Sequence, residues 1–400
     1  MRLTSQKKVI VPGITLLLNI SVLPLALVLV LIRVLFHVKI VRVRSNRIGP
    51  MAGTDLFLRR IALGKINADG LHLLGIANRN AANNHFLKML QREIKIVQIP
   101  QPKFLRIAMQ ILASQSVLST WGLFQNLGFL GNEYSDLNES TTSLHFTAEE
   151  EKQGKQLLKD LNVKSWFVCF HARDSAYLDQ LLQKRDYRHD FRNGEIENYL
   201  PAAEYITQQN GWALRLGAVV NKPILTTNTQ IIDYATQFRS DFGDIYLPAH
   251  CKFYLGNTAG LCSIPYVFGI PVANANVIPL TRGPPPGKRD LFIPKKIWVA
   301  REQRFFTFKE MIYSPILERW QEQEFREADG LIPLENTARE ILDLAVEMNE
   351  RLDGTWKTTD EDEELQQRFK ALFSPQTHCY GFPSRLGAKF LRENKVLLEG

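Results

Sequence analysis

Cysteine is scarce in this chain. The four residues Cys169, Cys251, Cys262 and Cys379 form no CxxC pair. That excludes a disulfide framework and a zinc ribbon and suits a reducing compartment. Cys169 and Cys251 lie in or beside apolar strands and read as core residues. No internal repeat is visible, and the sequon Asn138-Glu139-Ser140 is too common a pattern to alter the compartment. Charge is missing altogether from Val9 to Ile32, a run of twenty-four residues. Such a run is long enough to cross a hydrocarbon core of about 30 Å. Pro12, Gly13 and Pro24 are tolerated in membrane helices. A cleaved signal peptide fits less well, because no small-x-small site precedes Arg33. Residues 1–37 are therefore expected to anchor the chain to a membrane, by spanning it or by lying in one leaflet.

The net charge of +8 suggests nucleic acid until it is located. Residues 1–65 hold eleven Lys or Arg against the single acid Asp55, a balance of +10, so the remainder sums to −2. The basicity belongs to the flank of the apolar run, which excludes a nucleic-acid groove. Arg2, Lys7 and Lys8 precede that run, whereas Arg33, Lys39, Arg42, Arg44 and Arg47 follow it. The excess behind it places the main body on the cytoplasmic side of a bacterial inner membrane. Some of those later cations are expected in a strand whose surface meets anionic head groups.

Four hundred residues with 45% apolar content imply roughly two domains with ample cores. His37–Arg44 alternates as a strand and ends in SNRIGPMAGTD, a loop carrying Gly49 and Gly53 with Asp55 near a helix start. The same rhythm continues with a strand over Leu71–Ala77, a helix over Asn84–Glu93 and a strand over Ile94–Ile99 closed by Pro100. Thr147-Ala148-Glu149-Glu150 is a capping box, predicting a helix from Ala148 to Leu161. Alternation restarts at Trp166, with a helix from Tyr199, a strand over Trp212–Leu216 and a short strand near Ile224–Thr226. The fold class is α/β with parallel sheets, as two Rossmann-like lobes over 38–145 and 146–330. C-terminal helices follow over 331–400, with Asp360–Glu364 as a solvated face. TRGPPPGKRD, Thr281–Asp290, cannot be regular structure and reads as a lid or a surface connection.

Two strand ends stand out as candidate sites. Trp166–Phe170 is a short buried strand, and His171, Arg173 and Asp174 lie just past its carboxyl end, the edge where open α/β sheets bind ligands. Arg173 suits a phosphate because its planar fork donates two parallel hydrogen bonds. Downstream, Phe253-Tyr254-Leu255 runs into Gly256-Asn257-Thr258-Ala259-Gly260 and a compact apolar helix. Free backbone N–H groups at such a turn favour an anion, a diphosphate above all. An ordinary βα turn without a ligand is the alternative. Asp186–Ile206 adds Arg188, His189 and Arg192 ahead of a helix expected to be capped near Asn193; a solvated surface loop is its bland reading.

VCFHARDSAYL, DYRHDFRNGEIENYLPAAEYI, SDFGDIYLPAHCKFYLGNTAGL, IPYVFGIPVANANVIPL and RDLFIPKK resemble segments of a bacterial glycosyltransferase family associated with surface-polysaccharide synthesis. The resemblance runs from Arg47 to Asn394. More distantly the layout is similar to GT-B glycosyltransferases such as heptosyltransferases and fucosyltransferases. It implies a donor lobe that holds a nucleotide sugar at an HxR strand end, here His171-Ala172-Arg173, and at a small-residue loop, here Asn257, Thr258, Ala259 and Gly260. It also implies a base in the first loop, for which Asp55 after Gly53 is the nearest match, with Asp174 and Asp190 behind it; Asp55 also suits a helix cap. Arg47, Gly49, Arg192 and Asn193 are expected on the acceptor or sugar. The fucosyltransferase pattern often carries two adjacent arginines where this chain has Arg173-Asp174, so donor type does not transfer.

Glycosyl transfer needs a stabilised leaving diphosphate and a base for the acceptor hydroxyl. Arg173, Arg215 and the N–H groups of Thr258 and Gly260 are expected to do the first. No DxD-type motif lies in a suitable loop, in keeping with an inverting mechanism that uses no metal and no cofactor beyond the nucleotide sugar. The expected partners are that donor, a glycan or lipid-linked acceptor and the membrane. A nucleotide-sugar epimerase and a catalytically inactive tethered partner in polysaccharide assembly are the alternatives.

Overall fold

A computed structural model describes residues 23–66, 72–100, 102–114, 124–127, 134–183, 187–314 and 330–399. Residues 1–22 of the expected anchor lie outside the described residues. Two compact units are present, Met1–Gly128 and Phe129–Gly400.

The first unit carries the parallel sheet β3-β2-β1-β4, with β1 at Val38–Arg42, β2 at His72–Asn78, β3 at Lys95–Ile99 and β4 at Phe124–Asn126. Its crossover helices are Ile48–Ala62, Asn84–Glu93 and Lys103–Ser114. Asn83 opens the second of these because its side chain accepts the Phe86 N–H at 2.8 Å. The loop expected over SNRIGPMAGTD is shorter than predicted, since the helix already begins at Ile48. Pro50 sits in its first turn, where a missing N–H costs nothing, so Gly49 and Gly53 are helical and Asp55 lies two turns in. Lys39, expected at a lipid-facing strand surface, is only 5% exposed and lies 5.7 Å from the Phe57 ring.

Leu23–Phe36 forms a helix of 14 residues. Leu29 packs with Ile40 and Met109, joined by Leu25, Ala26, Ile32, Leu105 and Ala108. Among the described residues no helix is long and apolar enough to cross a membrane.

The second unit is built on a seven-stranded sheet in the order β14-β10-β9-β8-β5-β6-β7, parallel throughout. Its strands are β5 Phe167–Phe170, β6 Trp212–Arg215, β7 Ile231–Ile232, β8 Tyr254–Gly256, β9 Val272–Val277, β10 Leu291–Pro294 and β14 Arg385–Leu386. The central strands are buried along their whole length, which explains their continuous apolar runs. A small antiparallel sheet, β12-β11-β13, stands beside it, from Lys296–Val299 (β11), Arg304–Phe305 (β12) and Leu331–Leu334 (β13). The capping box at Thr147 is formed and its helix spans Ala148–Asp160.

Four expectations change here. The strand near Ile224–Thr226 is a loop, because the Ile224 N–H donates to Asp233 Oδ2 at 3.0 Å; Ile231–Ile232 takes the sheet position instead. Residues 331–400 are not a set of appended helices, since Leu386 completes the sheet edge and Ile341, Leu344 and Met348 join the core. Asp362 within the acidic run is 2% exposed and pairs with Arg392, so that run is not wholly solvated. The first unit ends at Gly128 rather than at 145: Asn138 reaches into the second unit's core side and donates to the Pro286 carbonyl at 2.7 Å. That bond also fastens Thr281–Asp290. Asp290 accepts the Gly287 N–H at 2.6 Å and the Val272 N–H at 2.9 Å, so the segment is a tied connection.

Candidate active site

Parallel strands β5 and β8 lie side by side, so their carboxyl ends release the chain at one sheet edge. His171 N–H donates to the Leu255 carbonyl at 3.0 Å, the last rung between the two exits. Beyond it, the Arg173 N–H donates to Asn257 Oδ1 at 2.9 Å. Asn257 is fully buried, and its Nδ2 donates to the Arg192 carbonyl at 3.1 Å. One side chain thus stitches three segments that are far apart in sequence.

The segment that closes over these exits is not the expected helix start at Asn193. Tyr187–Arg192 and Ile196–Tyr199 are 3-10 turns, and the helix proper is Leu200–Gln208 with Pro201 in its first turn. Asn193 serves the site instead of capping. Its Nδ2 donates to Asp190 Oδ1 at 3.1 Å, and its Oδ1 accepts from Arg173 Nη1. Arg173 Nη1 also donates to the His189 carbonyl at 3.1 Å, while the Gly194 N–H returns a bond to the Arg173 carbonyl at 2.9 Å. Arg192 donates from Nη2 to the Thr258 carbonyl. Arg173, Arg192 and the loop from Asn257 are therefore one hydrogen-bonded cluster.

A further cation joins it. Lys295, at the carboxyl end of β10, is 4% exposed, and its Nζ donates to the Asn193 carbonyl at 2.6 Å. Glu335 Oε1 lies 4.0 Å from that nitrogen, and Glu335 Oε2 accepts the Glu195 N–H at 2.9 Å. Burial pushes the Lys295 ammonium down to about 8, Glu335 opposes the shift and Arg173 adds to it. Sequence reading passed over Lys295 and Glu335. A lysine directly after the apolar strand Leu291–Pro294 was the available signal.

His171 is buried, and its Nδ1 lies 2.9 Å from the Leu216 carbonyl. Burial lowers its pKa to about 4, so the ring is neutral at pH 7 and adds no charge. Thr258 Oγ1 is buried without a hydrogen-bond partner. Ala259 is extended and leads into the 3-10 turn Gly260–Cys262, followed by the helix Ser263–Phe268 of 6 residues. Gly256 has a packing reason, because a Cβ there would lie 2.6 Å from the Tyr254 ring.

Other expected residues serve different ends. Arg215 is 1% exposed; its Nη1 donates to the Lys222 carbonyl at 2.7 Å and pairs with Asp233 at 3.2 Å. It is committed to the core and does not reach the cluster's loops. Asp174 is spent on backbone, accepting the Ala176 N–H at 2.9 Å and the Asn221 N–H at 2.8 Å. Asp55 is fully buried and ion-paired to Arg59 at 2.7 Å within its own helix, so in this conformation it offers no oxygen to an acceptor hydroxyl. Arg47 occupies the cap position of that helix with extended backbone and makes no side-chain cap bond; Gly49 follows in the first turn. Among the described residues no group of His, Cys, Asp or Glu is arranged to hold a metal ion. A groove of about 680 Å³ opens between helices Leu200–Gln208 and Ala338–Asp353, and none of the three clustered cations lines it.

No family model matches the chain, and no curated protein matches it. Among solved structures it is similar to a glycosyl transferase family 9 protein from Veillonella parvula DSM 2008, at 10% identity, TM-score 0.38, over 64% of this chain and 85% of that one. It is also similar to E. coli ADP-heptose LPS heptosyltransferase II, at 12% identity, TM-score 0.39, over 79% and 99%. It is likewise similar to E. coli heptosyltransferase WaaC with ADP, at 10% identity, TM-score 0.32, over 64% and 90%. These are faint likenesses of layout.

Proposed function

We propose that this chain is a glycosyltransferase that moves a sugar from a nucleotide-sugar donor to a glycan or glycolipid acceptor at a membrane. The observation that carries the reading is the gathering of Arg173, Arg192 and Lys295 around the loop Asn257–Gly260 at the carboxyl edge of the second unit's sheet. Three cations stand against two nearby carboxylates, Glu335 and Asp190, which leaves a net positive lining for a diphosphate. As the glycosidic bond to the donor breaks, negative charge grows on the leaving diphosphate. Cations fixed beforehand by backbone bonds stabilise that charge without reorganising. They provide the compensation that a divalent ion gives in other transferases, which supports a metal-independent reaction; inversion rests on the family resemblance alone.

In this reading Arg173 and Arg192 grip the diphosphate, Lys295 adds charge from beneath, and the backbone N–H groups from Thr258 to Gly260 complete the cradle. Asp190, held by Asn193 at 3.1 Å, is the remaining candidate for the base. Arg47 and Gly49 stay candidates for acceptor contact from the first unit. Attachment to the cytoplasmic face of a membrane would bring lipid-linked acceptors within reach.

The test is calorimetric titration of the full chain with UDP, GDP, CMP, dTDP and ADP, beside Arg173→Ala. Binding of one nucleotide that the variant loses, with folding retained, supports the donor site. No binding across the panel by a folded chain sinks the transferase mechanism and leaves an inactive tethered partner ahead.

A further inference from the structure

The first unit is electrically unlike the second. Met1–Gly128 holds seventeen Lys or Arg against three acids, Asp55, Asp69 and Glu93, a balance of +14, whereas Phe129–Gly400 sums to −6. Within that basic unit the helix Leu23–Phe36 is open along one side: Leu27 and Leu31 are each 58% exposed, Val34 65% and Leu35 67%. Its opposite side is packed, through Leu29, onto Ile40 and Met109. Met109 belongs to the neighbouring helix Lys103–Ser114, which is apolar on two sides. Leu105, Ala108 and Met109 face the shared core, while Phe104 is 73% exposed and Ile107 43%.

Large apolar side chains exposed on two adjacent helices need a non-aqueous neighbour. A span leaves the protein body and meets lipid all round, whereas Leu23–Phe36 lies along the body with one side spent on the core. That one-sided pattern belongs to a helix lying in the interface plane. The +14 balance supplies what an anionic leaflet attracts, and Arg33 and Lys103 sit on the two helices themselves, next to their exposed apolar positions.

We propose that the helices Leu23–Phe36 and Lys103–Ser114 together form a monotopic docking face that lies flat on an anionic lipid leaflet, with Phe104 and Ile107 inserted beside Leu27, Leu31, Val34 and Leu35. The inference deepens the membrane attachment proposed above and rests on it. It adds a second element, remote from the N-terminal run, and fixes the first unit as the one that meets lipid.

The experiment is vesicle flotation of the full chain with phosphatidylcholine alone and mixed with phosphatidylglycerol, beside Phe104→Glu with Ile107→Glu and the conservative Phe104→Leu. The expected result is binding that needs the anionic lipid, falls with salt, and weakens about ten-fold or more in the double Glu variant while Phe104→Leu keeps it. Circular dichroism and nucleotide titration check that the variants stay folded. Binding by the double variant equal to the parent's overturns the two-helix face and leaves attachment to residues 1–36 alone. No flotation with either lipid overturns attachment itself. Self-association in sedimentation that the double Glu variant abolishes, without vesicle binding, assigns the face to a second copy of the chain and overturns the proposal as well.

Discussion

The backbone N–H of Arg173 donates to the side-chain oxygen of Asn257 at 2.9 Å across 84 positions of the chain. Through that bond the strand end that carries the cation and the small-residue loop become one rigid unit, before any ligand arrives. Such fixing in advance is what makes an electrostatic site effective, because charges already held need not be ordered when the leaving group departs.

Replacing Asn257 with Ala therefore acts twice. The Arg173 N–H and the Arg192 carbonyl lose their partner in a site where Asn257 is fully buried. Leaving buried polar groups unpaired costs about 1–3 kcal/mol each, so a loss of about 2–6 kcal/mol in urea unfolding is expected for the two. Nucleotide affinity should fall further than stability explains, since the loop and the strand end are no longer held together. Asn257→Ala with parental affinity at a temperature where it is folded would count against the site.

Arg173 and Arg215 were alike in the sequence, each a cation at the end of an apolar strand, and the structure separates them. Arg215 pairs with Asp233 inside the core at 3.2 Å. Arg215→Ala strands a buried carboxylate, which costs about 3–5 kcal/mol. Arg173→Ala removes a part-buried side chain at the sheet edge and should keep the melting temperature within a few degrees, at about 1 kcal/mol, while abolishing nucleotide binding. Calorimetric melting and titration of both variants check this. A folded Arg215→Ala with lost affinity, or an Arg173→Ala that binds normally, reverses the assignment.

Lys295 makes the site sensitive to pH. Its ammonium titrates near 8 in the folded chain against an ordinary 10.5. Between those values the unfolded chain binds more protons than the folded one, so this residue makes stability rise with pH across that window. Below about 8 the penalty is constant at about 3 kcal/mol, because both states are protonated. Diphosphate binding has the opposite trend. It favours the ammonium, so affinity should decline above about pH 8 by up to roughly ten-fold per unit. In Lys295→Met both trends should flatten, measured as nucleotide affinity and urea midpoint against pH. A parental pH profile in that variant would place the titrating group elsewhere.

Much of this architecture could be read from the chain, and the failures share a cause. The helix after Thr147 was legible because its cap is local, written within three or four residues, and Asn84–Glu93 followed from the alternation of short strands with helices. The exits of β5 and β8 were legible because short apolar runs ended in polar loops. What escaped depends on long-range closure. Lys295 looks like a surface lysine until the carbonyl of Asn193, 102 positions away, accepts its N–H. Arg215 looks like a ligand group until Asp233 meets it. β14 is two residues long and gains its place only from β10 beside it. Asp55 was misplaced for the reverse reason: Gly49, Pro50 and Gly53 suggested a loop, and packing of Met51, Ala52, Leu56 and Phe57 onto the sheet outweighed their propensities.

Gly154 tests how far packing overrides propensity in the second unit. It lies inside the helix Ala148–Asp160, where alanine should gain about 1 kcal/mol over glycine. A Cβ at that position, however, would fall 1.9 Å from Cζ of Tyr246. That ring has little room to retreat. It is stacked on Phe242 at 5.2 Å and on His250 at 3.9 Å, meets Phe146 edge-on at 5.2 Å, and its hydroxyl donates to Glu151 at 3.2 Å. Overpacking of a filled core costs about 1–3 kcal/mol and sometimes more, and an overlap this deep belongs at the upper end. Gly154→Ala should therefore lose about 2 kcal/mol net and melt about 4–8 °C lower. Its nucleotide binding should stay parental, since none of these side chains touches the Arg173 cluster. A melting temperature equal to or above the parent's would mean that the aromatic group slides apart cheaply, and helix propensity would then decide the sign.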